Sequence, residues 1–305
     1  MALGSNHVLV GQAKTAGFVP EVWSDEIIAS YKKNLVAANL IKKMNFKGKK
    51  GDKVYFPAPV RGNATAKSKT AQAQVVLIAE SGTSLSVNID QHYEYSRLIE
   101  DITEVQAQSS LRRFYTDDAG YALATRIDTD VLAQASKAQG GAGDATYDKA
   151  VIGGDGTTLY TSGSPNATAM TDAGIRRVIQ TLDDQDVPMD GRFLVIPPVA
   201  RNTLLGLSRF TEQAFVGSGD AIRNGQIGDI YGVKVFVSTN CATATGSARV
   251  AVMAHPEFAV LIEQLGVRVQ TQYKQEYLAT LLTADTLYGV GELRDKSAVA
   301  IALPA

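Results

Sequence analysis

"GDKVYFPAPVRGNATAKSKTAQAQVVLIAESGTSLSVNID", residues 51–90, reads as two ribbons joined by a polar tip. The first ribbon, "GDKVYFPAPV", and the second, "VVLIAESGTSLSVNID", carry β-branched and aromatic residues that suit strands. Residues 61–74 between them, "RGNATAKSKTAQAQ", hold no large apolar side chain before Val75. Hairpin loops usually take about two to five residues, and long ones are functional or disordered. A tip of this composition has no use inside a core. It is expected to project and to find its contacts outside its own subunit.

Working outward, the N-terminal residues 1–19 are small and polar and read as an arm. Pro20 opens a helix with Glu21, Asp25 and Glu26 near its start, where the helix dipole favours acids. Trp23, Ile27, Ile28, Tyr31, Leu35 and Ala38 recur at steps of three or four and give it one apolar face. "KGKKGD" ends it. Beyond the ribbon, Val87, Ile89, Gln91 and Tyr93 alternate with polar neighbours, which predicts a strand fading after Tyr95.

Leu111, Tyr115, Ala119, Leu123, Ile127, Val131 and Ala135 then stand four residues apart, predicting a helix from Asp101 to Lys137. A turn takes about 3.6 residues, so each step overshoots by about 40° and the stripe winds around the cylinder. About 35 residues would span about 55 Å, well beyond the common three-turn helix. The spacing predicts a beam across the molecule.

Residues 138–170 read as loops and short strands. A compact α/β module is expected over about 170–265. Its parts are the helix "DAGIRRVIQTLDDQDV", capped by Asp172 with Ile175, Val178, Ile179 and Leu182 inward, the buried strand "RFLVI", and a helix from Pro197-Pro198. The strands "GVKVFVS" and "RVAVMA" follow, and a further helix is predicted in "HPEFAVLIEQL". The tail adds strand-like "VRVQTQY", "YLATLLTADTLYGVGEL" and "SAVAIAL".

Composition fits this layout. The chain has 305 residues, 45% hydrophobic and 20% charged, enough for one large or two ordinary domains. Its net charge of −1 does not point to a nucleic-acid or membrane-surface binder. Cys241 is the only cysteine, which excludes an internal disulfide and a cysteine-built zinc site and suits a reducing compartment. The first residues show neither a basic leader nor an apolar h-region, so the sequons at Asn63 and Asn166 read as chance matches. "RVAVMA" is far too short to cross a bilayer.

Catalytic patterns do not emerge. "GKKGDK" lacks the spacing of a phosphate loop, "GGDGTT" opens no helix, and neither G-x-S-x-G nor H-E-x-x-H occurs. His7, His92 and His255 have no ligand spacing. Asp183, Asp184, Asp186 and Asp190 invite a calcium loop, but Met189 stands where glycine is needed and Val187-Pro188 interrupts the ligands. They read as a solvated helix end. Arg61, Lys67 and Lys69 on the tip have no aromatic among them, which argues for ionic contact with a protein neighbour over base stacking. Arg112 and Arg113 read as the solvated flank of the long helix, and Trp23 as a packing anchor. These six are the candidate intersubunit contacts; no catalytic, cofactor or metal residue is expected.

The order of parts resembles the major capsid protein of tailed bacteriophages, whose fold is shared with encapsulins. "FVPEVWSDEI" is similar to the arm entry, and "GKKGDKVYFP" to the start of the extended loop. "DVPMDGRFLVIPPVARNTLL" and "GQIGDIYGVKVFVSTN" are similar to phrases of the axial domain. "VAVMAHPEFAVLIEQL" is similar to the return toward the peripheral domain.

The resemblance implies an α+β capsid fold in four parts. These are an N-terminal arm and helix (1–46), an extended β-hairpin loop (47–98), a peripheral domain with the spine helix (99–168 and 262–292), and an α/β axial domain (169–261 and 293–305). It implies a non-enzymatic protein without cofactors, self-assembling into hexamers and pentamers of an icosahedral head around double-stranded DNA, which it does not bind sequence-specifically. Implied partners are further copies, a scaffolding protein, a portal and a decoration protein, with no membrane. The implied location is the virion capsid, assembled in the bacterial cytoplasm. An encapsulin shell, or a hydrolase or transferase using the α/β module, are the alternatives.

Overall fold

The computed structural model describes residues 36–59, 68–69, 71–72, 74, 82–106, 111–135, 152–158, 160, 166–207, 229–244 and 248–305. The expected arm, most of its helix with Trp23, and Arg61 and Lys67 lie outside them. Of the N-terminal helix, α1 (Ala37–Leu40) falls among the described residues. It runs directly into a strand that periodicity did not reveal, β1 (Lys42–Asn45).

The ribbon is β2 (Lys53–Pro59) paired antiparallel with β3 (Gly82–Asn88). The chain leaves the ribbon after Asn88 and continues as β4 (Gln91–Glu100), five residues past the expected fading point at Tyr95. β4 thus spans the boundary expected at residue 98. Two helices follow, α2 (Asp101–Gln106) and α3 (Leu111–Ala135), where one helix was expected; residues 107–110 and 136–137 are not described. At about 1.5 Å per residue, α3 alone is about 37 Å long.

β5 (Ile152–Gly153) and α4 (Asp172–Asp183) come next. The cap of α4 is Thr171, whose side chain accepts the Gly174 amide; Asp172, expected in that role, sits in the first turn and pairs with Arg176 at 3.2 Å. β6 (Phe193–Ile196), α5 (Pro198–Leu205), β7 (Asp229–Ile230), β8 (Val233–Val237) and β9 (Arg249–Ala254) complete the module. Tyr231 and Gly232, with φ of 51° and 78°, make the two-residue turn between β7 and β8.

The helix expected in "HPEFAVLIEQL" is instead a 3₁₀ turn, Pro256–Phe258, followed by β10 (Ala259–Lys274). Ala259 to Ile262 are all buried, so their apolar run is that of a doubly covered strand. Periodicity cannot tell such a run from a buried helix. β11 (Ala279–Glu292) and β12 (Ala298–Leu303) close the chain.

The described strands form a four-stranded sheet in the order β1-β10-β11-β4, a six-stranded sheet in the order β5-β12-β9-β6-β8-β7, and the ribbon β2-β3. In the six-stranded sheet one face, with Leu194, Ile196, Met253, Val299 and Ile301, is covered by Ile175, Val178 and Leu182 of α4 and by Ala200 and Leu204 of α5. The other face, with Phe193, Val195 and Val252, takes Val131, Leu132 and Ala135 of α3 and Ala37 of α1. Earlier along α3, Ala119 and Leu123 pack on Ala284, Tyr93 and Tyr95 of the four-stranded sheet. The winding stripe is thereby explained, because one helix must face two sheets along its length.

Candidate assembly surfaces

The ribbon is rooted on its own subunit. Val87 and Ile89 pack on Val260 and Ile262, with Met44, Phe46, Val54, Phe56 and Leu287 around them. Gly289 and Gly291 of β11 lie against the root. A Cβ on the first would overlap the Asn88 carbonyl oxygen, and one on the second would overlap the Val87 side chain. Neither glycine has a positive φ, so it is close approach and not backbone freedom that requires them. The signal was visible as "GVG" within a strand, and sequence reasoning passed over it.

Away from the root the ribbon turns outward. Tyr55 is 65% exposed, and the described tip residues Ser68, Lys69, Ala71, Gln72 and Gln74 are exposed. Arg112 and Arg113 stand in the first turn of α3, where Arg113 is exposed. Of the six residues singled out in the sequence, Lys69 and Arg113 are therefore surface groups, on separate elements.

The far end of the four-stranded sheet carries a second surface. β1 pairs β10 only along Val260–Glu263, so among the described residues β10 has no outer partner strand beyond that point. Val267, Val269, Tyr273, Tyr277 and Leu278 are exposed there, as is Ile102 beside them at 62%. Tyr273 Oη donates to Asp101 Oδ2 at 2.7 Å, and the Leu278 carbonyl accepts the Asp101 amide, so these parts form one end. An apolar end beside an open strand edge is a surface to be covered.

Polar contacts tie α3 to its sheet. Arg126 lies over the Tyr93 ring at 4.6 Å, donates to its hydroxyl at 2.7 Å and pairs with Asp130 at 2.9 Å. Tyr288 Oη donates to Asp130 Oδ2 at 2.6 Å; burial, then this carboxylate, raises the phenol's pKa. In the same turn of α3, between Arg126 and Asp130, Asp128 is fully buried and accepts the Ala37 amide at 2.7 Å and Asn240 Nδ2 at 2.9 Å. One carboxylate thus joins the arm's end, the long helix and the six-stranded module.

No set of three His, Cys, Asp or Glu residues is placed to hold a metal among the described residues. At the acidic end of α4, Asp183 pairs with the buried Arg192 at 2.7 Å, and Arg192 also donates to the Val187 and Pro188 carbonyls. A cleft of about 300 Å³ is lined by His255, Glu257, Arg294 and Asp186. Its acid and imidazole serve the local turn: His255 Nδ1 accepts the Glu257 amide and Glu257 pairs with Arg294. Burial pushes the Cys241 thiol up to about 12, away from reactivity. No described helix is long and apolar enough to cross a membrane.

A family model described as phage capsid protein matches residues 102–301. The fold is similar to a solved structure from Mycobacterium phage Che8, at 24% identity over 93% of this chain and 97% of that one, with a TM-score of 0.75. It is also similar to the capsid structure of the cyanophage P-SCSP1u, at 17% identity over 99% and 96%, TM-score 0.76. The mature capsid of bacteriophage PhiM1 matches at 15% identity over 93% and 92%, TM-score 0.73. No curated protein matches the sequence.

Proposed function

The chain belongs to the phage capsid protein family and is a major capsid protein, and from that premise we propose how its parts build a head around double-stranded DNA. Copies join as hexamers and pentamers through surfaces that one subunit leaves uncovered. The observation that carries this reading is the ribbon, rooted on Val260 and Ile262 yet exposed at Tyr55 and through its described tip. The apolar end at Ile102, Tyr277 and Leu278 supports it as a second contact.

In this reading the four-stranded sheet with α3 is the peripheral domain and the six-stranded sheet with α4 and α5 the axial domain. The arm and ribbon are the reaching parts, and Trp23, Arg61, Lys67, Lys69, Arg112 and Arg113 are contacts to neighbours. The role is structural, without catalysis. Scaffolding, portal and decoration proteins are the further partners, and the head assembles in the bacterial cytoplasm.

Sedimentation velocity and electron microscopy of the protein, alone at high concentration and with its scaffold, test the assembly. Closed particles are expected above a steep concentration threshold, since many modest interfaces act together. Monomers and dimers under every condition would sink the reading. Particles that carry a cargo protein and no nucleic acid would identify a compartment shell instead.

A further inference from the structure

The near-neutral total hides a local charge. Residues 42–53, "KKMNFKGKKGDK", hold six lysines and one aspartate, so the segment carries +5 and the rest of the chain −6 against a total of −1. Six of the chain's 30 lysines and arginines fall within twelve consecutive residues, which an evenly mixed surface would not give.

An ordered backbone presents them. Lys42 and Lys43 lie on β1, Lys47, Lys49 and Lys50 in the turn that follows, and Lys53 opens β2; all six are exposed. The Phe46 amide donates to the Glu263 carbonyl at 2.8 Å, and Gln264 Nε2 donates to the Lys49 and Gly51 carbonyls at 2.9 and 3.1 Å. The Ile89 amide donates to the Asp52 carbonyl at 2.8 Å. The turn is therefore fastened to the sheet at both ends.

Little offsets the charge. Among the described residues only Lys47 has a carboxylate partner, Glu263 at 3.8 Å. Lys43 Nζ donates to Asn39 Oδ1 at 2.9 Å, and Lys49 lies over the Phe46 ring at 5.5 Å. Like charges gathered in one short segment repel one another, and an anion laid along it relieves the repulsion.

We propose that residues 42–53 form a phosphate-binding face that holds the backbone of a DNA duplex weakly and without reading its sequence. Lysine is a mobile point charge that suits phosphate without fixed geometry. The segment offers no arginine fork for a base edge, and phosphate contacts carry no sequence information. The proposal rests on the reading that the shell encloses DNA.

The test is binding of a short fluorescent duplex of mixed sequence to the full-length protein before assembly, over a range of salt. The parent is compared with a variant carrying Lys42→Gln, Lys49→Gln, Lys50→Gln and Lys53→Gln. Four phosphate contacts give a log–log salt slope near about −4, or about a hundredfold weaker binding between about 50 and 200 mM salt. The variant should bind about tenfold more weakly or worse at low salt, with a flatter slope and unchanged melting and particles. Lysine-to-arginine changes at the same four positions should keep the parental slope.

Equal affinity and slope in parent and glutamine variant would overturn the proposal. So would stronger binding of polyglutamate than of duplex, which points to an acidic protein partner. Loss of particles with intact duplex binding would assign the lysines to contact between copies. A parent that binds duplex but never forms shells would defeat the assembly reading and leave this one standing.

Discussion

Gly289 lies beneath Asn88 so closely that a Cβ on the glycine would overlap the Asn88 carbonyl oxygen. The obstacle is backbone, and it cannot swing aside. Gly289→Ala should therefore destabilise the subunit by about 3 kcal/mol, the upper end of overpacking costs, outweighing a backbone-entropy gain of about 0.4–1 kcal/mol. Gly120 is the contrast. It sits inside α3 without a positive φ, and a Cβ there would meet nothing within 4 Å. Gly120→Ala should stabilise by about 0.5–1 kcal/mol. Urea unfolding of both variants checks the pair, and equal effects would refute the close-approach account of Gly289.

Asp128 gives a second prediction. Asp128→Ala leaves the Ala37 amide and Asn240 Nδ2 buried without their acceptor, at a cost of about 2–4 kcal/mol. Asp128→Asn keeps the shape. Asn240 Oδ1 is buried and lacks a hydrogen-bond partner, so a flip of the Asn240 amide lets it accept from the new side chain. The asparagine variant should then lose only about 1 kcal/mol. Thermal melting of the two variants decides; equal losses would mean that the carboxylate charge itself matters.

Acid should weaken the fold in a defined window. Arg268, donating to Asp285 at 2.7 and 2.9 Å, holds that carboxyl below its ordinary range, with a smaller contribution from His92. Thr158 and Thr157 do the same for Asp155. Both folded-state pKa values are depressed. Their stabilisation is thus complete above the ordinary carboxylate value of about 3.9 and is lost as pH falls through the lower folded values. Asp285→Asn should lower the melting temperature only slightly at neutral pH, since Arg268 is half exposed, and should flatten the loss below about pH 4. Melting curves across that range test it, and an unchanged acid slope would rule the pair out.

What the sequence disclosed and concealed follows from the same physics. The stripe from Leu111 to Ala135 could be read because one helix facing two sheets imposes its winding on the spacing. The strand at Ala259–Ile262 could not, because burial on both sides removes any alternation. Gly289 and Gly291 escaped notice because close approach is a relation to residues some two hundred positions earlier in the chain. The lysines of 42–53 were masked by the acids that balance them elsewhere. Arg61 and Lys67 stood out by composition alone, since any contact to another copy would leave no imprint on one chain's periodicity.

The ribbon tip supplies the last prediction. Residues 61–74 have almost no apolar area, so replacing them with a short turn between Val60 and Val75 removes little burial. Loop-closure cost changes by only about 0.6 kcal/mol per doubling of length, so the subunit should tolerate the cut. The root, packed through Val87, Ile89, Val260 and Ile262, stays in place. In a shell the same cut acts at every subunit at once, and small losses multiply around a closed lattice. The shortened protein should melt within a degree or two of the parent, an effect of about 0.5 kcal/mol, and fail to make stable particles. Reversing the charges at Arg61, Lys67 and Lys69 should act in the same direction more mildly, since exposed ion pairs are worth about 0–1 kcal/mol each. Normal melting with particles of parental heat resistance would show that the ribbon is no clasp between subunits. Failure to fold would place the tip in the subunit's own core, against its composition.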